Sequence, residues 1–150
     1  MRVLIQRVKK ASVAIEGEIV SEINQGLLIL LGIETEDTQE DIDWLAGKIT
    51  RLRIFSDENN AMNLSVHDIA GDCLVVSQFT LHANTKKGNR PSFIKAARPE
   101  VAIPLYKKFV LQLEKETSRK IKTGTFGAMM DVALINDGPV TIWMDSKNRE

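Results

Sequence analysis

The sequence predicts a single α/β domain in which a mixed, mainly antiparallel β-sheet with barrel-like layers packs with two main helices. Short β-prone segments, separated by turns that contain Gly, Asn or Asp, predict the sheet. Two longer segments with apolar residues at three- and four-residue spacing predict the helices. The chain of 150 residues is 43% hydrophobic, which is enough for one core, so residues 1–150 are expected to form one domain.

Alternating apolar residues predict a strand at residues 3–15, and two further strands, at residues 19–23 and 27–33, are predicted after turns. Val8 interrupts the alternation of the first strand, which predicts a bulge near residues 6–10. The polar residues 24–26 predict a turn before the third strand. Because that third strand is apolar on both faces, we expect it to be central in the sheet and covered on both sides.

The first predicted helix follows Thr38, which forms a capping pattern with Asp41. Its buried stripe is expected to comprise Ile42, Leu45, Ala46, Ile49 and Leu52. The second helix is predicted at residues 101–118, and Pro104 is acceptable there only in the first turn. Its stripe is expected to comprise Val101, Leu105, Phe109 and Leu113. Further elements are a polar loop at 84–92, a short helix at 93–98, and strands at 73–81, 121–126, 132–135 and 140–144.

Composition narrows the classes of function. The formal net charge is zero, so nucleic acid or an anionic membrane would have to be bound through a local patch. The single cysteine, Cys73, lies among apolar residues, which indicates a buried thiol in a reducing compartment. With His67 and His82 it forms no zinc-ligand spacing, so no metal or other cofactor is expected. The N-terminus lacks a signal-peptide pattern and the longest apolar run, residues 27–31, is too short to span a bilayer, so we expect a cytoplasmic protein without a membrane partner.

Hydroxyl and amide groups end the otherwise apolar strand at 73–81, where Ser77, Gln78, Phe79 and Thr80 follow one another. Polar groups at the C-terminal end of a strand often line a site. Strand periodicity would place Thr80 and His82 on one face as nucleophile and base, but no carboxylate is available nearby to orient the imidazole. Hydrogen bonding of the hydroxyls to the local backbone is the structural alternative.

Two further groups of residues offer contacts for a nucleotide. Phe126 and Met130 are typical of a core, yet an aromatic ring and a thioether can also hold a flat ring such as a base. Lys86, Lys87 and Arg90 are most simply part of a solvated loop, but they are the best local basic cluster for phosphate contacts.

The stretch Asn136-Asp137-Gly138-Pro139-Val140-Thr141 joins two β-prone segments. A hairpin turn is the simplest interpretation, because Gly accepts positive φ without steric cost. Proline, however, fixes φ, lacks an amide donor and permits a cis peptide bond, so Gly138-Pro139 can hold its carbonyls in one orientation. Carbonyls without an amide partner can bind an ammonium group.

Four motifs, in this order and spacing, resemble D-aminoacyl-tRNA deacylase in its bacterial and eukaryotic form, the D-tyrosyl-tRNA deacylase family. They are Ser77-Gln78-Phe79-Thr80-Leu81, Lys86-Lys87-Gly88-Asn89-Arg90-Pro91-Ser92-Phe93, Lys122-Thr123-Gly124-x-Phe126-Gly127-Ala128 and Asn136-Asp137-Gly138-Pro139-Val140-Thr141. Met1-Arg2-Val3 and Gln6-Arg7-Val8-x-x-Ala11-Ser12-Val13 agree as well, so the resemblance extends over essentially the whole chain.

The resemblance implies a homodimer whose active site lies at the subunit interface. Residues 77–81 of one subunit would face Gly138-Pro139 of the other, with that peptide bond in the cis form. The substrate would be the acceptor end of a tRNA that carries a D-amino acid, or glycine, as an ester. The Gly138 and Pro139 carbonyls would exclude an L side chain, and the adenosine 2′-hydroxyl would assist hydrolysis in place of an enzyme nucleophile.

We therefore predict an esterase that releases D-amino acids from tRNA as a chiral proofreading step. Gln78, Phe79 and Thr80 would surround the ester and Ser77 would support them. Gly138 and Pro139 would select chirality, and Phe126 with Met130 would hold the adenine. An activated ester needs positioning and backbone donors more than a triad, which is consistent with the missing histidine-carboxylate pair. The alternatives are a non-catalytic, RNA-end-binding dimerisation module and a serine or threonine hydrolase of small esters.

Overall fold

The computed structural model describes residues 1–150. Its strands and helices, in chain order, are β1 (Arg2–Ile15), β2 (Glu18–Ile23), β3 (Gly26–Gly32), α1 (Gln39–Arg51), β4 (Phe55–Ser56), β5 (Met62–Leu64), β6 (Asp72–Ser77), a 3₁₀ turn (Phe79–His82), α2 (Pro99–Thr117), β7 (Lys122–Thr123) and β8 (Asp131–Asp145). Neither helix combines the length and hydropathy that are needed to cross a membrane.

The main sheet has six strands in the order β2-β1-β3-β6-β7, and β8 pairs with the other edge of β1. The pairs of β1 with β2, β3 and β8 are antiparallel. The pairs of β3 with β6 and of β6 with β7 are parallel. A mixed, mainly antiparallel sheet with two helices is therefore confirmed, and the sheet is nearly closed.

The expected turn at residues 24–26 is wrong, because the chain does not reverse there. Ile23 lies opposite Ala11 and Gly26 lies opposite Val8, so β2 and β3 run in the same direction along one edge of β1. Together they form one long partner strand with a short break. A Cβ on Gly26 would lie 1.9 Å from the carbonyl oxygen of Asp72, so only glycine fits where β3 begins beside β6.

β3 lies in the middle of the sheet and is covered on both faces, as predicted. Leu27, Ile29 and Leu31 join the larger core, where both helices pack, while Leu28 joins a smaller core on the opposite face. The predicted bulge in β1 is confirmed by register shifts against β8 on either side of Val8.

The first helix has the predicted capping box of Thr38 and Asp41, and Ile42, Leu45, Ala46 and Ile49 are buried. The second helix begins two residues earlier than predicted, because Pro99 occupies the first turn, where its missing amide donor costs nothing. Pro104 consequently lies inside the helix. Val101 is exposed and the buried stripe instead comprises Ala102, Tyr106, Phe109 and Leu113.

Four expectations for the later elements are corrected. The strand at 73–81 ends at Ser77, and only Lys122–Thr123 of the segment 121–126 is a strand. Residues 93–98 form no helix; they follow the bridge between Asn84 and Ser92 instead. The strands at 132–135 and 140–144 are parts of one strand, β8, whose two halves both pair with β1 rather than with each other.

Candidate active site

The polar end of β6 turns away from the sheet instead of continuing as a strand. The Gln78 amide donates a 2.7 Å hydrogen bond to the Leu31 carbonyl, and a 3₁₀ turn then runs from Phe79 to His82. The amides of Leu81 and Ala83 bond back to the carbonyls of Gln78 and Thr80. The alternating faces expected for residues 77–82 are therefore wrong.

The first amides of this turn are free. The N–H groups of Phe79 and Thr80 donate to no backbone acceptor in the chain, as is usual at the start of a helical turn. The Gln78 side-chain amide donates to Thr80 Oγ1 at 2.5 Å, which fixes both side chains beside these amides. The turn thus presents two backbone donors and a hydroxyl group at one point.

A cavity of about 370 Å³ opens beside the turn. Ser77, Gln78 and Phe79 line one side of it, and Phe126 and Met130 line another. Its remaining walls are mostly apolar and comprise Leu31, Ile33, Val76, Ala97, Ala102, Gly127, Ala128, Met129 and Val132. The structure thus places five of the residues that the sequence selects around a single space of the size that small ligands occupy.

The Phe126 side of the cavity is held from behind by α2. The Tyr106 ring meets the Phe126 ring edge-on, with a centroid distance of 5.7 Å, and the Tyr106 hydroxyl donates to the Val75 carbonyl at 2.8 Å. Burial raises the pKa of Tyr106, so the phenol stays a donor. A Cβ on Gly124 would lie 2.6 Å from Met130 Sδ, so this glycine makes room for the thioether.

Arg2 holds the far end of the 3₁₀ turn. Its Nη1 donates to the Leu81 carbonyl at 3.0 Å, and its Nε donates to Asp145 Oδ2 at 2.8 Å. The guanidinium also lies 5.6 Å from the centre of the Trp143 ring. Arg2 therefore connects the turn to the C-terminal end of β8, a role that sequence reasoning missed.

Gly138 and Pro139 lie in a bulge of β8. Gln6 pairs with Thr141 and Val8 pairs with Asn136, so the residues between loop out opposite Arg7. The hairpin interpretation is therefore wrong. The Gly138-Pro139 peptide bond is cis, as the resemblance implies, and both residues are exposed.

The bulge has a fixed shape. Asn136 Oδ1 accepts the Val140 amide at 2.8 Å, and Asn136 Nδ2 donates to Thr141 Oγ1 at 3.0 Å. Gly138 has a φ of 129°, and a Cβ there would lie 3.0 Å from Arg7 Nη2, so glycine is required for both conformation and space.

Arg7 is the second functional residue that sequence reasoning missed. The residue is 8% exposed; its Nε donates to the Asp137 carbonyl at 3.1 Å and its Nη1 to the Ile54 carbonyl. It also lies 3.3 Å from the Asp137 carboxylate. A charged residue within an apolar strand, at a predicted bulge, was the available signal.

Within one chain the two halves of the predicted site are not brought together, because neither Gly138 nor Pro139 lines the cavity. Lys86, Lys87 and Arg90 also lie outside it, on an exposed loop. The base of that loop is closed by two hydrogen bonds between Asn84 and Ser92. Its next residue, Phe93, packs edge-on against Phe79 at 5.0 Å.

No nucleophile and base face each other at this site. The His82 ring is buried and neither nitrogen has a hydrogen-bond partner, while Thr80 Oγ1 is bonded to Gln78. Burial lowers the pKa of His82 and raises the pKa of the Cys73 thiol to about 12, so both stay neutral near pH 7.

Comparison with known proteins identifies the family of the chain. The model of the family described as D-Tyr-tRNA(Tyr) deacylase matches residues 4–145. The chain belongs to this family. The D-Tyr-tRNA(Tyr) deacylase family match takes in every residue of the cavity and of the bulge, as well as Arg7.

Relatives of the chain match over its full length. D-aminoacyl-tRNA deacylase of Flavobacterium johnsoniae is 67% identical and that of Bacteroides thetaiotaomicron is 60% identical, each over 100% of both chains. A solved structure described as c-Myc DNA Unwinding Element Binding Protein is 44% identical, with a TM-score of 0.91, over 97% of this chain and 98% of that one. A structure described as a probable eukaryotic D-amino acid tRNA deacylase, 17% identical with a TM-score of 0.82 over 95% and 97% of the two chains, shares the fold.

Proposed function

We propose that this protein hydrolyses the ester bond of D-aminoacyl-tRNA and releases the free D-amino acid and the tRNA. The observation that carries this proposal is the cavity in which Phe79, whose backbone amide is free, lines one side while Phe126 and Met130 line another. Full-length relatives that are named D-aminoacyl-tRNA deacylase support it. Glycyl-tRNA, which presents no side chain to exclude, is a second substrate in this proposal.

The terminal adenosine occupies the apolar part of the cavity. Its base lies against Phe126 and Met130, which offer a ring edge or face and a polarisable sulfur. The ribose then points to the turn at Phe79, where the ester is attached. The exposed loop with Lys86, Lys87 and Arg90 supplies phosphate contacts to the rest of the acceptor end.

Hydrolysis depends on positioning and on charge stabilisation. The free amides of Phe79 and Thr80 donate to the oxyanion that develops when water attacks the ester carbonyl. Ser77 and Gln78 hold the turn, and the adenosine 2′-hydroxyl assists proton transfer in place of an enzyme base. Because an aminoacyl ester is already reactive, these contributions suffice without a nucleophilic side chain.

The selection of chirality requires the other half of the site. In this proposal a second subunit places its Gly138 and Pro139 carbonyls over the cavity, where they accept the substrate ammonium and exclude an L side chain. Both residues are exposed in the single chain, and Arg7 together with Asn136 holds the bulge rigid. The outer edge of β8 has no partner strand, and Ile135 and Trp143 on this strand are 46% and 48% exposed. Such a surface suits a symmetric homodimer.

Matched D- and L-tyrosyl-tRNA test the proposal. We expect release of D-tyrosine with a rate at least about a hundredfold above that of L-tyrosine, because a steric block rejects one enantiomer outright. Free tyrosine is separated from tRNA and counted over time. Equal rates, or an unchanged D-tyrosyl-tRNA, would show that the function is wrong.

A second candidate function is nucleic-acid binding without catalysis. It is favoured by the likeness to the 44% identical structure, which is described as a DNA-unwinding-element binding protein. It would use Lys86, Lys87 and Arg90 and would leave the cavity without a role. A gel-shift assay with charged and uncharged tRNA separates the two functions, since this alternative predicts equal binding and no hydrolysis.

A further inference from the structure

A second depression lies on the other side of Phe126. It has a volume of about 440 Å³ and runs between α2 and the segment that follows it. It is lined by Ile103, Tyr106, Lys107, Val110, Leu111, Glu114, Lys120, Thr123 and Phe126, and we call it the α2 groove. Phe126 lines both this groove and the cavity described above, so one aromatic ring forms part of the wall of each.

The α2 groove combines an apolar floor with two cationic groups. Leu111 is 57% exposed although it is apolar, and Val110 and Ile103 lie beside it. Lys107 and Lys120 are both exposed at the margins of the groove. An apolar floor flanked by ammonium groups is complementary to a nucleotide, whose base contacts the floor while its phosphate meets the lysines.

One acidic side chain faces the same space. The Glu114 carboxylate lies 3.1 Å from Lys120 Nζ and accepts the Ile121 amide at 3.3 Å. The hydrogen bond from Lys120 lowers the pKa of Glu114, so the carboxylate is charged at neutral pH. It holds Lys120 near the groove, but its own charge opposes a phosphate there.

We propose that the α2 groove binds the nucleotide that precedes the terminal adenosine of tRNA, with Lys107 and Lys120 at its phosphate. This inference rests on the proposed function, because it takes the cavity next to Phe126 as the adenosine site. The strand of RNA then passes Phe126 with one base on each side of the ring. Recognition is independent of sequence, since the floor offers apolar contacts and no row of donors and acceptors.

A series of substrates tests the groove directly. D-tyrosyl esters of adenosine, of the trinucleotide cytidyl-cytidyl-adenosine and of full-length tRNA are compared by kcat/KM. We expect the trinucleotide ester to exceed the adenosine ester by about fivefold or more, which corresponds to one stacked or packed base, mainly through a lower KM. Equal values for the two esters would overturn the inference while leaving the proposed function intact. If none of the three esters is hydrolysed, the proposed function and this inference both fail.

Charge variants show whether the groove is responsible. The double variant Lys107→Ala and Lys120→Ala should lower the ratio of kcat/KM for the trinucleotide ester to kcat/KM for the adenosine ester by about fivefold. For the trinucleotide ester, the slope of log kcat/KM against log salt concentration should become shallower by about 0.7 for each lost phosphate contact. Lys108→Ala with Lys115→Ala is the matched control, since these exposed lysines of α2 lie outside the groove. The control should keep the wild-type ratio, and an equal loss in both double variants would overturn the inference.

Two further variants should change the ratio of the two kcat/KM values in opposite directions. Glu114→Gln keeps an acceptor for the Ile121 amide but removes the charge, so it should raise the ratio of the two esters. Leu111→Glu places a carboxylate on the exposed floor and should lower the ratio without loss of melting temperature. If Leu111→Glu instead changes the oligomeric state and not the ratio, the floor is a protein interface and the inference is wrong.

Discussion

At the level of single residues, the shape of the cavity depends on Gly124, which has no side chain. Gly124 lies against Met130, whose sulfur would be 2.6 Å from an added Cβ. Met130 is a flexible side chain, so it can move at a small cost in stability. The thioether would then shift relative to Phe126, across the space that we assign to the adenine.

Gly124→Ala should therefore weaken substrate binding more than it destabilises the fold. We expect KM for D-tyrosyl-tRNA to rise about threefold to tenfold with kcat nearly unchanged, because uniform binding is lost. Gly17→Ala is the control, since Gly17 lies in the turn between β1 and β2, outside the cavity, and an added Cβ there meets nothing within 4 Å, although its φ of 82° costs some stability. A change in kcat without a change in KM would contradict this account of Met130.

His82 is the other residue that sets a measurable property. Its buried ring has no hydrogen-bond partner, and its Nδ1 lies 4.0 Å from Glu34 Oε2. Burial lowers its pKa in the folded state, and the backbone of Gly32 and the nearby carboxylate of Glu34 oppose this only in part. The unfolded chain therefore takes up a proton at a higher pH than the folded protein, so stability falls as the pH drops below about 6.5.

His82→Leu should remove this part of the acid sensitivity. We expect the free energy of unfolding of wild type to fall more steeply than that of the variant as the pH is lowered from 7.5 to 5. Urea unfolding at a series of pH values measures it. The exposed His67, replaced by Gln, serves as the control and should follow the wild-type curve. A constant difference between His82→Leu and wild type at all pH values would refute the assignment.

At the scale of elements, the 3₁₀ turn is fixed at both ends. The Gln78 amide binds the Leu31 carbonyl of β3, and Arg2 binds the Leu81 carbonyl. The free amides of Phe79 and Thr80 lie between these two anchors. Their direction, and hence the stabilisation of an oxyanion, depends on both anchors.

Arg2→Met should remove the hydrogen bond to the Leu81 carbonyl but keep an unbranched apolar side chain over Trp143. We expect kcat to fall about fivefold to twentyfold with little change in KM, since a charge-assisted hydrogen bond to the turn is lost. Arg149→Met is a matched control, because Arg149 also lies over a tryptophan, Trp44, and bonds to a carboxylate, Glu40, but does not contact the turn. Equal losses in both variants would indicate a general effect on stability and not a role in positioning.

The strands and helices show what local patterns could predict. Alternation predicted β1 with its bulge, a continuous apolar run predicted β3 buried on both faces, and helical spacing predicted the capped α1. In each case the pattern is local, because it depends only on which faces of one segment meet the core. The hairpin at residues 136–141 was wrong because pairing is not local: both flanks of the bulge pair with β1. Residues 78–81 were predicted to continue the strand, yet the hydrogen bond from the Gln78 amide to the Leu31 carbonyl is the last one of the ladder. Periodicity contains no information about such distant partners.

At the scale of the whole molecule, the site residues lie in two separate places. The sequence pointed to residues 77–80, Phe126 and Met130, and all of these except Thr80 line one cavity. It also selected Gly138 and Pro139, which lie on the surface. Arg7 and Arg2 were missed, because their importance follows from contacts with Asp137 and Leu81, far away in the chain.

If the active site is shared between two subunits, two inactive variants should restore each other. Met130→Arg fills the cavity, and Gly138→Ala strains the bulge, so each homodimer should be inactive. In a mixed dimer one site carries both changes and the other site carries neither. After subunit exchange in an equimolar mixture, about a quarter of the sites should therefore be intact, and hydrolysis of D-tyrosyl-tRNA should return to about that fraction of wild type.

The matched control mixes Met130→Arg with Ala128→Arg, since both residues line the cavity and no mixed dimer has an intact site. Activity from the first mixture but not from the second would show that each site consists of the cavity of one subunit and Gly138 of the other. Only in that case does subunit exchange combine an unchanged cavity with an unchanged bulge. Mixed dimers that form but stay inactive in the first mixture would mean that each chain uses its own bulge or none. The Gly138 and Pro139 carbonyls would then have to select chirality from outside the cavity, which their positions in the single chain do not allow.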